Sequence, residues 1–419
     1  MHALTLMTLL AAAPTPADQA AQALITDLRE GHPDVAFPRL GAKMQAAITG
    51  DALLAAWKQT TEGLGAFKQL ELLQAFDRQG LQGLVYAARY ERGSIQVTAA
   101  VDPTSLKVEG FFMKPLPNEL PPEKAPAPAS YVTPDAFGSF DVKVGKAPFE
   151  LGGTVTVPKG KGPFPAVVLV HGSGPNDRDE TIGANKPFKD LAEGLSSKGV
   201  VVLRYDKRTL VYGRQYAGKD ITFDEELIDD AVAAVTLLKA RTDVDAARVY
   251  VVGHSLGALF APAVAAKVKV AGLALLAPSF RKPWDILPQQ LKYLGVPADK
   301  VAEVEAAFSE VRAGRAKGMV LNAPASYWKA WAAYDGPGTA KKLKVPVLVL
   351  HGSRDYQVID VDFVGWKKAL AGVKDAQLVE LPGLNHLFIA GEGPSKPTEY
   401  DTPSHVAVEV IDQLARFCH

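Results

Sequence analysis

The sequence predicts an α/β domain, a mostly parallel sheet with helices on both faces and a helical cap, preceded by a small α+β domain. Three observations predict this. Apolar, β-branched runs at 166–170, 200–205, 249–252, 272–276, 345–350 and 377–381 alternate with helical stretches at 188–197, 224–239, after Ser255, and 361–371. Strands of that composition are buried on both faces, which is the environment of a parallel sheet. Upstream the order differs: helix-forming stretches at 17–29 and 51–60 precede strand-like runs at 67–76, 84–90, 94–101 and 106–113. Between the two patterns Pro115, Pro117, Pro121, Pro122, Pro126, Pro128 and Pro134 crowd a stretch short of large apolar residues, as in a linker.

In chain order, residues 1–16 contain an apolar run, Leu4 to Ala13, that ends Ala11-Ala12-Ala13 and fits the core and cleavage site of a secretory signal peptide. It is too short to span a bilayer, and no other segment approaches transmembrane length. The preceding residues hold His2 but no Lys or Arg. The expectation is therefore export to the periplasm or extracellular space, with the cytoplasm as the alternative. Residues 17–114 form the small domain, with Gly80, Gly83, Gly93 and Asp102-Pro103 as turns. Residues 115–134 form the linker and 135–419 the main domain, with a cap insertion at 281–340. Thr222 and Glu225 have capping-box spacing at the start of the 224–239 helix. No internal repeat is evident.

A chain of 419 residues is long for one domain, so two are expected. Hydrophobic residues make up 47% and charged residues 22%, an ordinary globular composition. With 46 basic and 46 acidic side chains, the charge balance argues against a nucleic-acid or anionic-membrane partner. The single cysteine, Cys418, excludes an intramolecular disulfide, a cysteine zinc site and an iron-sulfur cluster. Its place beside the C-terminus predicts a frayed, incidental thiol.

The chemistry enters at Gly253-His254-Ser255-Leu256-Gly257, directly after the apolar run Val249-Tyr250-Val251-Val252. A strand-to-helix turn sharp enough to project a serine strains the backbone and crowds its neighbours, and glycines two before and two after relieve both. Ser255 is thus the candidate nucleophile, at a helix N-terminus that favours developing negative charge. The pattern arises by chance in roughly one such chain in ten, so its partners must carry the argument.

A serine hydroxyl needs a base, and the base needs a carboxylate to hold its tautomer. Of the eight histidines, His2, His32 and His419 are terminal or in the other domain, and His254 points away from Ser255 along the turn. His171 and His351 sit in His-Gly pairs at strand ends; His405 opens the C-terminal helix and is the fallback base. His386 follows the last strand, in Leu381-Pro382-Gly383-Leu384-Asn385-His386, and is the preferred base. Asp355, five residues beyond Leu350 on the preceding strand, is the matching acid. Asp360 and Asp362 are alternatives, but at a helix start acidic residues are already explained by the dipole. The order Ser, Asp, His fits a sheet of this kind. For the oxyanion, the donors are the N–H of Leu256 and, in the loop His171-Gly172-Ser173-Gly174-Pro175, that of Ser173.

Pro165 to Pro175, then Asp177-Arg178-Asp179-Glu180, Leu203-Arg204-Tyr205-Asp206-Lys207-Arg208 and Gly253 to Gly257 together resemble bacterial α/β-hydrolases of the dienelactone-hydrolase-like esterase group. The resemblance runs from about Asp141 to the C-terminus, and residues 17–114 look like the small domain of unknown function that such proteins carry, with a cystatin-like or nuclear-transport-factor-like fold. It implies an α/β-hydrolase fold and hydrolysis of a small-molecule carboxylic ester by Ser255, His386 and Asp355 through an acyl-enzyme, with no metal and no organic cofactor. Ala258, where many relatives have glycine, and Pro262 inside the following helix depart from the pattern and bear on pocket shape.

The 280–340 insertion is placed as a lid and holds Trp284, Tyr293, Phe308, Tyr327, Trp328, Trp331 and Tyr334. The spacing of Tyr327, Trp331 and Tyr334 puts them on one helical face. Trp284, Trp328 and Trp331, with His254, are assigned to the substrate pocket. Asp177, Arg178, Asp179, Asp206, Lys207 and Arg208 read as an ion network between two loops. Thioesterase or serine peptidase chemistry uses the same residues and stays open, as do a homodimer and a catalytically silent binding protein on this scaffold.

Overall fold

The computed structural model describes residues 15–78, 80–115, 127–216, 220–321 and 323–419; the proposed signal segment and the centre of the linker lie outside them, save for residues 15 and 16. The chain divides into two compact units, Met1–Ala125 and Pro126–His419.

In the first unit, helices α1 (Pro16–Glu30), α2 (Pro33–Ala36), α3 (Ala42–Ala47) and α4 (Gly50–Thr61) precede an antiparallel meander of β1 (Phe67–Arg78), β2 (Leu81–Tyr90), β3 (Gly93–Val101) and β4 (Val108–Pro115). Thr15 caps α1 and Thr49 caps α4, each accepting from an N–H three residues on. Leu24, Ile25 and Leu28 of α1 and Trp57 of α4 share a core with Tyr86, Val97 and Val101 of the sheet. Gly83, expected at a turn, lies inside β2 opposite Phe76.

The second unit begins with two strands that the sequence reading did not resolve, β5 (Phe137–Val144) and β6 (Leu151–Pro158). They form an antiparallel hairpin at the sheet edge, where mixed polar and apolar residues suffice because one side faces water. There follow β7 (Phe164–Val170), α5 (Pro187–Ser197), β8 (Val201–Tyr205), α6 (Arg208–Val211), α7 (Asp229–Lys239), β9 (Val244–His254), α8 (Leu256–Lys267) and β10 (Leu273–Leu276). The cap holds α9 (Pro283–Tyr293), α10 (Ala298–Arg312), a ribbon of β11 (Met319–Val320) and β12 (Ala323–Pro324), α11 (Ala325–Ala333) and α12 (Gly336–Leu343). Then come β13 (Val347–Gly352), α13 (Asp360–Ala369), β14 (Ala376–Leu381) and α14 (Val408–Cys418). The helix expected over 224–239 opens as a π turn, Asp224–Ile228, before α7, and Thr222 and Glu225 make the reciprocal bonds of the predicted capping box.

The eight strands run in the order β14-β13-β10-β9-β7-β8-β6-β5, and the six from β14 to β8 are parallel. Alternation along β7 shows why the runs are wholly apolar. Ala166, Val168 and Val170 enter one core with α7 and α8, while Val167 and Leu169 enter the other with α5 and α14. From β7 the chain first moves outward to β8, then returns to the other side as β9. The carboxyl ends of β7 and β9 therefore flank the switch point, where such sheets bind ligands.

Two expectations change here. Residues at the end of the presumed linker pack on the second unit: Tyr131 donates to Val406 O at 2.8 Å and Thr133 N to Ser197 Oγ at 2.9 Å. Cys418 is fully buried among Val410, Ile411 and Leu414, because α14 closes one face of the sheet down to its last turn.

Candidate active site

Ser255 sits between β9 and α8 with φ 53° and ψ −116°, a conformation that a non-glycine residue adopts only under constraint. Its N–H donates to Leu276 O of β10 at 2.8 Å. The flanking glycines are required by proximity: a Cβ on Gly253 would lie 2.3 Å from Gly257 O, and one on Gly257 2.2 Å from Val170 O. With no side chain between them, α8 starts hard against β7 and carries Ser255 to the switch point.

Asp355 and His386 meet across the ends of β13 and β14, with His386 Nδ1 2.6 Å from Asp355 Oδ2. Both are buried, at 6% and 4% exposure. The other oxygen of Asp355 accepts from Gln357 N and Val358 N at 2.8 and 3.0 Å, so the carboxylate cannot rotate without breaking a turn. Asn385, fully buried, accepts from Leu387 N and Ile389 N and fixes the loop that carries His386.

The remaining candidates are engaged elsewhere. His351 Nε2 contacts Asp360 Oδ1 at 3.0 Å, His405 lies between Asp190 and Ala127 O, and Asp362 clamps Phe280 N, Arg281 N and the Arg281 guanidinium where the cap begins. His171 contacts Asp177 O and packs on Phe188 and Tyr205; burial pushes its imidazole down to about 4, so it is neutral.

A cavity of about 610 Å³ opens beside Ser255, lined among others by Ser173, Leu256, Glu226, Tyr327, Trp328 and Trp331. Trp328 and Trp331 stack with ring centroids 6.0 Å apart. Neither Ser173 N–H nor Leu256 N–H has an acceptor among the described residues. Two pocket assignments differ. Trp284 is not in the lining and instead lies under the Arg312 guanidinium at 5.6 Å. His254 is buried beneath the site: Nδ1 is 2.9 Å from Glu180 Oε2 and Nε2 donates to His386 O at 2.9 Å. Nor do the three aromatics share one face of a helix, since α11 ends at Ala333 and Tyr334 stacks on Phe260 in an extended conformation.

Glu180 is the residue the sequence reading passed over. Its other oxygen, Oε1, accepts from Gly172 N at 2.6 Å, so one carboxylate joins the loop after β7 to the residue before Ser255. Burial alone would raise the Glu180 pKa, but the charge and hydrogen bond of His254, together with the Gly172 N–H, outweigh it and hold it below the ordinary value. For His254 burial acts downward, and Glu180 outweighs it to hold the imidazole above its ordinary value. A glutamate ten residues after the strand, inside an otherwise surface-like charged run, was the available signal. The charged loops pair only partly with each other: Arg178 meets Asp206 at 2.7 Å, but Asp179 binds Arg204, Arg208 binds Asp230 and Lys207 binds Glu226.

A serine at a strained strand-to-helix turn, with a His-Asp pair on later strand ends of a parallel sheet, is the arrangement of the α/β hydrolases. The chain belongs to the alpha/beta hydrolase family, whose sequence pattern matches residues 167–399. Residues 21–111 match a family of proteins of unknown function, DUF3887. Esterase EstD of Thermotoga maritima is 38% identical over 408 residues, covering 96% of this chain and 95% of its own. Among solved structures, Est1E from Butyrivibrio proteoclasticus (TM-score 0.43, 18% identity, 66% of this chain and 95% of that one) is similar to it. So is the Pyrococcus furiosus esterase Pf2001 (TM-score 0.43, 19% identity, 68% and 92%).

Proposed function

We propose that the chain is a carboxylic-ester hydrolase in which Ser255 is the nucleophile. Ester hydrolysis is supported by its likeness to Esterase EstD along almost the whole chain. The single observation that carries the residue assignment is the hydrogen-bonded His386–Asp355 pair on the strand ends next to the strained Ser255.

In this mechanism Ser255 Oγ attacks the ester carbonyl carbon while His386 Nε2 takes its proton. Asp355 accepts from Nδ1–H, which keeps Nε2 free as the base and stabilises the imidazolium. The carbonyl oxygen becomes an oxyanion held by the Leu256 and Ser173 amides; one such donor is worth roughly 3 kcal/mol in the barrier. Collapse breaks the ester C–O bond, and His386 returns the proton to the departing alkoxide. Water then attacks the acyl-enzyme with His386 again as base, releasing the acid and free Ser255. The cap aromatics Trp328 and Trp331 form the apolar wall against which an acyl or aryl group is desolvated.

The test is hydrolysis of p-nitrophenyl esters by the protein and by Ser255→Ala. The reading requires the variant to lose the activity; equal rates would reject it.

A further inference from the structure

Lys207 is almost fully buried, at 1% exposure, on the loop after β8. Its ammonium donates to Gly172 O at 2.8 Å and to Glu226 Oε1 at 2.7 Å. Asn176 Nδ2 also donates to Gly172 O, at 3.2 Å. On the other side of the same residue Glu180 Oε1 holds Gly172 N–H at 2.6 Å. Gly172 is thus gripped at both its polar atoms. It also lies against the nucleophile, since a Cβ added to it would stand 3.3 Å from Ser255 Cβ.

The carbonyl of Gly172 and the N–H of Ser173 belong to one peptide group. That group is planar and trans, so the two point to opposite sides. A cation holding the carbonyl on one side therefore fixes the direction of the N–H on the other. It also draws electrons toward oxygen, favouring the charge-separated resonance form and making the N–H a stronger donor. Ser173 lines the cavity and its N–H has no acceptor among the described residues. A buried lysine is a costly way to tie two loops together, because apolar residues of similar volume often do so equally well.

We propose that Lys207 is a positioning residue of the oxyanion hole, aiming and polarising the Ser173 N–H through the Gly172 carbonyl. This rests on the proposed ester hydrolysis at Ser255.

The test compares Lys207→Met/Glu226→Gln with its parent Glu226→Gln, so that no lone buried carboxylate is left, and single Lys207→Gln with the wild type. Each is read by kcat and KM on a p-nitrophenyl ester, by the Ki of phenylboronic acid, whose tetrahedral serine adduct occupies the oxyanion position, and by thermal melting. Removing a donor outright lowers kcat by about 10²–10³, so misaiming one is expected to lower it about 10–100-fold. KM should move by less than about threefold and the boronate Ki should rise by the same factor as kcat falls. A tie between loops would lower the melting temperature without moving kcat and Ki together. Values within about threefold of the parent in a variant that melts cooperatively, or a fall in kcat with unchanged Ki, would overturn the proposal. Failure of both variants to melt cooperatively would also overturn it, because Lys207 would then be required for the fold itself. If wild type and Ser255→Ala already hydrolyse alike, the hydrolase reading fails instead.

Discussion

Replacing Glu180 by alanine should destabilise the second unit, and by an amount that depends on pH. The carboxylate is 1% exposed, accepts Gly172 N–H at 2.6 Å and lies 2.9 Å from His254 Nδ1. Truncation leaves a buried N–H without an acceptor, worth about 1–3 kcal/mol. It also strips the counter-ion from buried His254, and breaking such a pair costs about 3–5 kcal/mol. The two losses share one carboxylate and do not simply add, so the expected total at mildly acid pH is about 3–5 kcal/mol. For a unit running from Pro126 to His419 that is a fall in Tm of roughly 5–8 °C.

The sign of the pH effect follows from the two shifts. His254 is held above its ordinary value, so its contribution is complete below pH of about 6.5 and is lost as pH rises through the raised value. Glu180 is held below its ordinary value, so its contribution is complete above pH of about 4.3 and is lost as pH falls through the lowered value. Calorimetry of wild type and variant should show the largest gap near pH of about 5.5, shrinking toward pH of about 9 as His254 loses its charge. Glu180→Gln, which keeps an acceptor for Gly172, should approach the wild type at the alkaline end. An equal gap at both pH values would refute the charged His254–Glu180 pair.

In Asp355→Asn the amide oxygen can keep the Gln357 and Val358 N–H bonds while the amide N–H faces His386, forcing the wrong tautomer; kcat should drop by about 10⁴ with the melting curve little changed. Gly257→Ala would press a methyl to 2.2 Å from Val170 O and 2.4 Å from His171 O, both backbone, so expression should yield no soluble folded protein; a soluble variant with wild-type Tm would contradict the packing of α8 on β7. Burial pushes the Cys418 thiol up to about 12, so Ellman's reagent at neutral pH should titrate it only after denaturant is added.

Much of this architecture was legible because burial writes itself into composition. A strand covered on both faces, such as β7, has no polar positions left to confuse the reading. Asp355 and His386 were legible for a related reason: each follows such a strand closely, and the sheet turns sequence position into spatial position. The β5–β6 hairpin escaped because its exposed residues break the apolar run. Glu180 and Lys207 escaped because a charged residue after a strand looks the same whether it meets solvent, a neighbouring loop or a peptide group under the nucleophile. Only the fold puts Gly172 between them. His254, adjacent to Ser255, and Trp284, in the cap insertion, are both assigned to the pocket from sequence, whereas β9 turns the first beneath the site and Arg312 of α10 covers the second. Cys418 shows the limit of arguing from chain ends, since α14 is amphipathic through its final turn.

An activated nucleophile at the turn of Ser255 should react with an electrophilic phosphonate. Intact-mass and peptide-mass analysis after brief exposure to a fluorophosphonate tests it most directly. One adduct per chain is expected, on the peptide containing Ser255, absent from Ser255→Ala and much slower to form in His386→Ala. Labelling at another residue, or no labelling of the folded wild type, would contradict the account.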